Sequence, residues 1–238
     1  MNNSQWIYHD ESARELAKRL NLSYTDYHLL RRALTHRSYL NEHPEALEDN
    51  ERLEFLGDAV LDFLVGAWLY NRFPEMAEGQ LTRLRSALVR TEQLAEFSRQ
   101  LNLAAAMRLG RGEIESGGRS RSALLCATFE AVVGSLYLDG GIDQVKSFVE
   151  PLLDEATEVI LIRGELQDPK SLLQEWTQAR GLGAPKYHTI ASTGPDHAKV
   201  FKIEVAINGQ IWGKGEGTSK QIAAKAAARA ALKALDLI

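Results

Sequence analysis

Four carboxylates, Glu51, Glu54, Asp58 and Asp62, punctuate the otherwise apolar stretch "NERLEFLGDAVLDF" at residues 50–63. On a helix, their spacing of i, i+3, i+7 and i+11 brings all four to one face. Like charges a turn apart repel, so such a face needs something positive opposite it. A solvated acidic face with basic neighbours meets that need. So does a site for a hard divalent cation, which takes carboxylate oxygens and relieves their crowding. Spacing alone does not choose between them. Asp62 lies one turn beyond Asp58, about 6 Å further along the axis. It is read as exposed or salt-bridged, with Arg83 or Arg85 as partner, and not as a ligand.

Other chemistries are poorly served. The single cysteine, Cys126, excludes an internal disulfide framework and fits a reducing compartment. It stands in the apolar run "ALLCATFEAV", where a buried, inert thiol is expected. The six histidines lack the spacing of a zinc protease. No basic-then-apolar segment opens the chain, and no apolar run approaches the ~20 residues that span a bilayer. A cytoplasmic protein with no membrane partner is expected.

The elements that must position the carboxylates follow from periodicity. The chain has 238 residues, enough for one good core or for a larger and a smaller domain, with 45% hydrophobic and 25% charged residues. Its net charge of −4 conceals a split. Residues 168–238 carry ten Lys/Arg and six Asp/Glu, leaving eighteen and twenty-six for the rest, so a module of net +4 follows one of −8. The basic module is the candidate for contact with a polyanion. Helical periods run near 11–21, 27–35, 50–72, 80–100, 120–138 and 142–162, with a break expected at Pro151 and a glycine-rich basic loop at 116–121. An all-α domain over 11–162 and a linker over 163–168 are therefore expected. Beyond it, a helix at 169–180 precedes two alternating strands, "YHTIAST" and "KVFKIEVAI". The Asn208-Gly209 turn then leads to a third strand, "QIWGKGEG". Thr218 or Ser219 caps a final alanine-rich helix. Residues 169–238 thus read as a small α+β domain of α-β-β-β-α order.

These residues resemble bacterial ribonuclease III. "ERLEFLGDAVL" is similar to that family's signature almost letter for letter, with support from "THRSYLNE" at 35–42, "EGQLTRLRSALV" at 78–89 and "FEAVVGSLYLDGG" at 129–141. The last 70 residues or so resemble its double-stranded-RNA-binding domain, and the likeness leaves only about the first ten residues aside. The resemblance implies a ribonuclease III fold in the all-α domain. It implies that Glu54, Asp58 and Glu130 bind catalytic Mg²⁺, with Mn²⁺ as a substitute, and that Asp58 and Glu130 are catalytic. Glu51 and, more distantly, Glu78 would support the acidic cluster, and Phe55 would pack across a homodimer interface. One departure stands out: the family usually has an aspartate three residues before the glutamate at position 130, where this chain has Ala127. A weakened metal site is expected, by about 10- to 100-fold.

For the second domain the resemblance places Ser171, Gln174 and Gln178 of the first helix in one minor groove of the duplex. Pro195 and His197 of the "TGPDHAK" loop would enter the next, and Lys220 would meet phosphates at the start of the last helix. The usual second basic residue there is Gln221, and Lys225 is one position off the usual later lysine, so phosphate contacts are expected to be fewer. The implied activity is Mg²⁺-dependent hydrolysis of double-stranded RNA by a homodimer to 5′-phosphate and 3′-hydroxyl ends. Ribosomal-RNA precursors and other structured transcripts would be its substrates. The alternative, motivated by Ala127 and Gln221, is a cleavage-deficient protein that acts by occupying duplex RNA.

Overall fold

The computed structural model describes residues 11–162, 168–195 and 199–238. The chain divides into two compact units, Met1–Arg163 and Gly164–Ile238.

The first unit is helical: α1 (Ala13–Arg19), α2 (Tyr27–Ala33), α3 (Arg37–Leu40), α4 (Glu51–Arg72), α5 (Glu78–Leu88), α6 (Thr91–Gln100), α7 (Arg111–Glu115) and α8 (Ser122–Ile162). Its centre is the packing of α4 on α8. From α4, Leu53, Leu61, Leu64 and Leu69 are buried; from α8, Phe129, Val132, Val133 and Leu136. Each such side chain stabilises the fold by about 1.5–3 kcal/mol relative to exposure. The Phe129 ring sits between those of Phe97 and Phe148, with centroids 5.5 and 5.9 Å away.

Two ties hold the smaller helices against this pair. The Asp139 carboxylate on α8 accepts from the Thr25 and Asp26 amides at 2.9 and 2.8 Å, and the Tyr24 and Ser135 hydroxyls share a buried hydrogen bond of 2.6 Å. The stretch 35–42 straps down residues 108–111. Thr35 forms a β-bridge with Arg108, Ser38 Oγ accepts from the Gly110 amide at 3.0 Å, and Glu42 Oε1 accepts from the Arg111 amide at 2.8 Å.

The helix boundaries depart from the periodicity in three places. The expected 80–100 helix is two, because Arg90 is extended (φ −68°, ψ 152°) and caps α6. The segments 120–138 and 142–162 form one run kinked at Gly141, whose φ of 73° suits glycine. Pro151 does not end it: Pro151 and Ser147, whose carbonyl loses its partner, both lie on the exposed side. By length and composition α8 is apolar enough to cross a bilayer, against expectation, but 56% of its most apolar window is buried within the protein, as in a core helix.

The second unit has the expected order. It comprises α9 (Pro169–Ala179), an antiparallel sheet of β1 (Lys186–Thr193), β2 (Val200–Ile207) and β3 (Gln210–Gly217) in the order β1-β2-β3, and α10 (Lys220–Ala234). Asn208 and Gly209 turn the hairpin with φ of 50° and 83°. Ile203, Val205 and Ile207 face a core with Leu173, Leu232 and the alanines of α10. The close fit of α10 on β3 comes from glycine. A Cβ on Gly213 would fall 2.5 Å from the Ala231 amide nitrogen, and one on Gly217 would fall 2.7 Å from that of Ala223.

Candidate functional site

The acidic face is positioned by a second pair of glycines. Where α4 crosses α8, a Cβ on Gly57 would lie 2.6 Å from the Glu130 carbonyl carbon and 2.9 Å from the Gly134 nitrogen. One on Gly134 would lie 3.1 Å from the Leu53 carbonyl carbon. The helices therefore touch main chain to main chain. Glu54 and Asp58 flank Gly57 on one helix, and Glu130 stands one turn before Gly134 on the other.

Glu54 and Glu130 are half-buried, Asp58 and Glu51 exposed. Burial, then the charges of Asp58 and Glu54, push the Glu130 carboxyl up to about 7. Burial, then Glu51, Asp58 and Asp49, raise that of Glu54. Arg37 bridges Glu51 at 3.4 Å, but among the described residues no ion pair reaches Glu54, Asp58 or Glu130. Glu54 and Glu130 are thus half-buried like charges, with exposed Asp58 acting on both and no ion pair to any of the three among the described residues. Donor type and charge both fit a hard divalent cation, which would relieve the repulsion. Among the described residues, however, no three Asp, Glu, His or Cys side chains form a group that could hold a metal ion in their present positions.

Other residues singled out in the sequence fall as follows. Ala127 is half-buried on α8, three residues before Glu130. Cys126 is buried, and burial, then Glu130, pushes its thiol up to about 12, so it stays neutral. Asp62 is exposed and, among the described residues, pairs with neither Arg83 nor Arg85. Glu78 begins α5, its Oε1 accepting from the Thr82 hydroxyl at 2.9 Å, and is not among the charges acting on Glu54 or Glu130. Phe55 is 81% exposed and shares a stripe of α4 with Phe63 and Tyr70. Sequence reasoning missed Asp49, whose charge adds to those acting on Glu54, and the glycine crossing. The signal for the latter was present: Gly57 follows Glu54 by three residues, and Gly134 follows Glu130 by four.

On the second unit, Ser171, Gln174 and Gln178 are exposed on one face of α9, while Leu173 and Thr177 are buried on the other. Pro195 is exposed just beyond β1, and His197 lies outside the described residues. Lys220 is exposed at the first position of α10, whose cap, Ser219, accepts from the Ile222 amide at 3.2 Å. Gln221 is exposed beside it. Lys225 reaches back to the Asp168 carboxylate at 3.2 Å, joining α10 to the start of α9.

A family profile described as "Ribonuclease-III-like" matches residues 26–156, and one described as "Double-stranded RNA binding motif" matches 169–235. The chain is 47% identical over 229 residues to Ribonuclease 3 of Roseiflexus sp. (strain RS-1), covering 95% of this chain and 97% of that one. It is 44% identical over 222 residues to Ribonuclease 3 of Enterococcus faecalis, covering 93% and 96%. A solved nuclease domain of ribonuclease III from Campylobacter jejuni is 36% identical with a TM-score of 0.54. That match spans 59% of this chain and 95% of the other, whose description refers to a region involved in dimer formation. With a helical nuclease domain followed by an α-β-β-β-α RNA-binding motif, the chain belongs to the ribonuclease III family.

Proposed function

We propose that this double-stranded-RNA endoribonuclease holds its divalent cation, Mg²⁺ with Mn²⁺ as substitute, on Glu54, Asp58 and Glu130. The observation that carries the reading is the gathering of these carboxylates, without a countercharge among the described residues, where two glycines let α4 and α8 touch. When bound, the ion activates a water and stabilises charge developing on the phosphoryl and leaving oxygens. The chain's own part is to keep these carboxylates in place and ionised. Glu130 must give up its proton for that, because burial and its neighbours hold its carboxyl near neutrality. Cys126, as a neutral thiol, adds no charge of its own. The products carry 5′-phosphate and 3′-hydroxyl ends.

Ser171, Gln174 and Gln178 meet 2′-hydroxyls of one minor groove, Pro195 and His197 the next, and Lys220 the phosphates between them. The apolar stripe of Phe55, Phe63 and Tyr70, exposed by 81, 69 and 74%, supports a homodimer in which each copy covers the other's stripe. Two acidic sites then face the two strands of one duplex. Residues 11–162 serve as the catalytic and dimerisation domain, 163–168 as linker and 169–238 as the RNA-binding domain. The enzyme works in the cytoplasm on ribosomal-RNA precursors and other structured transcripts.

Ala127 favours a second reading, a protein that holds duplex RNA without cutting it. Incubating the full chain and Ala127→Asp with a long perfect RNA duplex in Mg²⁺, in Mn²⁺ and with chelator separates the two. Metal-dependent cutting by the unaltered chain establishes the proposed site. Tight binding without cutting in either metal, with cutting restored by Ala127→Asp, establishes the second reading instead.

A further inference from the structure

Away from the acidic face, three arginines line one cavity of the first unit. It has a volume of about 270 Å³ and is bounded by Arg31, Arg108 and Arg119, by Tyr39, and by apolar residues that include buried Leu34 and Met107. Two of the arginines are held by groups that carry no negative charge. Arg108 donates Nη1 to the Thr35 hydroxyl at 2.9 Å and stacks on the Tyr39 ring, 4.2 Å from its centroid. Arg31 Nη2 lies 3.2 Å from His28 Nδ1. A guanidinium has five N–H donors, so each of these two keeps several to spare. Arg119, only 8% exposed, donates Nη1 to the Ala104 carbonyl.

The acids nearby are engaged elsewhere. Glu11, which also lines the cavity, pairs with Arg19 at 2.8 Å, and Glu113 pairs with Arg121 at 2.6 Å. Glu45, on which the Arg108 charge acts, bonds to His43 at 3.1 Å. Arg31 and Arg108 also border a second cavity, of about 370 Å³, but its lining includes Asp26, Glu45 and Glu48, which disfavour an anion there. In the smaller cavity, cations outnumber acids among the described residues by three to one. Like charges held around a partly apolar space repel and lose hydration, a cost that a bound dianion offsets.

We propose that this cavity binds a phosphomonoester, with Arg31 and Arg108 on the phosphate oxygens, Arg119 adding its charge, and the apolar lining against the esterified group. The volume suits a phosphate with a small organic part and is far too small for duplex RNA, so the site is separate from cleavage. Two sources present this chemistry: the 5′-phosphorylated end of an RNA strand, and a free mononucleotide.

Melting curves and calorimetric titrations of the full chain, with chelator present and ionic strength matched, test the site without involving a metal. The probes are AMP against adenosine, and a short single-stranded RNA with against without a 5′-phosphate. The phosphorylated member of at least one pair should bind, and at tenfold its Kd should raise the melting temperature by about 3–6 °C. Arg108→Met and Arg31→Gln should each weaken that binding by about tenfold or more, the loss expected for a charge-assisted bond. Arg31 is exposed, so its replacement spares the fold and keeps the test decisive should Arg108→Met fail to fold. Arg14→Gln, at an exposed arginine that stacks on Tyr27 outside the cavity, should change nothing. Preference for the phosphorylated strand over AMP identifies an RNA end as the ligand, and the reverse identifies the mononucleotide; either supports the site. If the phosphate adds nothing in both pairs, or if Arg31→Gln binds as tightly as the unaltered chain, the site is refuted.

Discussion

Replacing Gly57 by alanine tests whether main-chain contact at the helix crossing sets the spacing of the carboxylates. The new methyl carbon would lie 2.6 Å from the Glu130 carbonyl carbon and 2.9 Å from the Gly134 nitrogen. Ordinary contact is about 3.5 Å, and no side chain can move aside, so α4 and α8 must part by about 1 Å. Overpacking of this kind costs about 1–3 kcal/mol, which in a protein of this size lowers the melting temperature by roughly 2–12 °C. The larger effect falls on chemistry, because Glu54 and Asp58 move away from Glu130 with their helix. A misplacement of about 1 Å costs on the order of 100-fold in rate. Single-turnover cleavage of a long duplex should fall by that factor, while duplex binding with chelator present should change little because the RNA-binding unit folds on its own core. Gly57→Ala with an unchanged melting temperature and full activity would refute the reasoning.

The remaining predictions concern charge and surfaces. The folded pKa of Glu130 is raised from 4.5 to about 7, so the stability it contributes is full below about 4.5 and is lost as pH rises through about 7. Metal-free protein should therefore lose on the order of 1 kcal/mol across that window, after allowance for solvent screening. Melting curves against pH should show the loss, Mn²⁺ should reverse it, and Glu130→Gln should flatten it. Lys220→Ala should lower the salt slope of duplex binding by about one, whereas Lys225→Met should leave it unchanged, because Lys225 is committed to Asp168 at 3.2 Å. An equal drop for both would return Lys225 to the phosphates. Phe55→Glu should yield monomers in sedimentation without loss of helix content, since the side chain is 81% exposed in the single chain. Persistent dimers would place the interface elsewhere.

Much of the fold was legible because each element repeats its own period. The alternation of Phe201, Ile203, Val205 and Ile207 and the Asn208-Gly209 turn placed the hairpin correctly. The break at Arg90 was missed, although the apolar spacing jumps by five from Val89 to Leu94, more than the three or four that one helical face keeps. Pro151 misled in the opposite sense, because a proline on an exposed helix face costs less than one in the core. Within the site, Glu54 and Asp58 could be seen as one face of a helix. Glu130, 72 residues beyond Asp58, could be joined to them only through the resemblance, because periodicity says nothing about which helices cross.

The strap formed by residues 35–42 bears on how the protein is made. Its bonds join residues 69 to 73 positions apart, and those from Thr25 and Asp26 to Asp139 span 113 to 114. Contacts so distant in sequence are slow to close, and a chain leaving the ribosome cannot make them until the later partner has emerged. At about 5–20 residues per second, α2 and the acidic helix wait on the order of 10 s for α8. During that interval the apolar face of α4 that packs on α8 has no partner within its own chain, although α5 can already pack on α4. The nascent nuclease unit is therefore expected to depend on chaperones until residue 139 is free, and slowing translation before that point should increase aggregation.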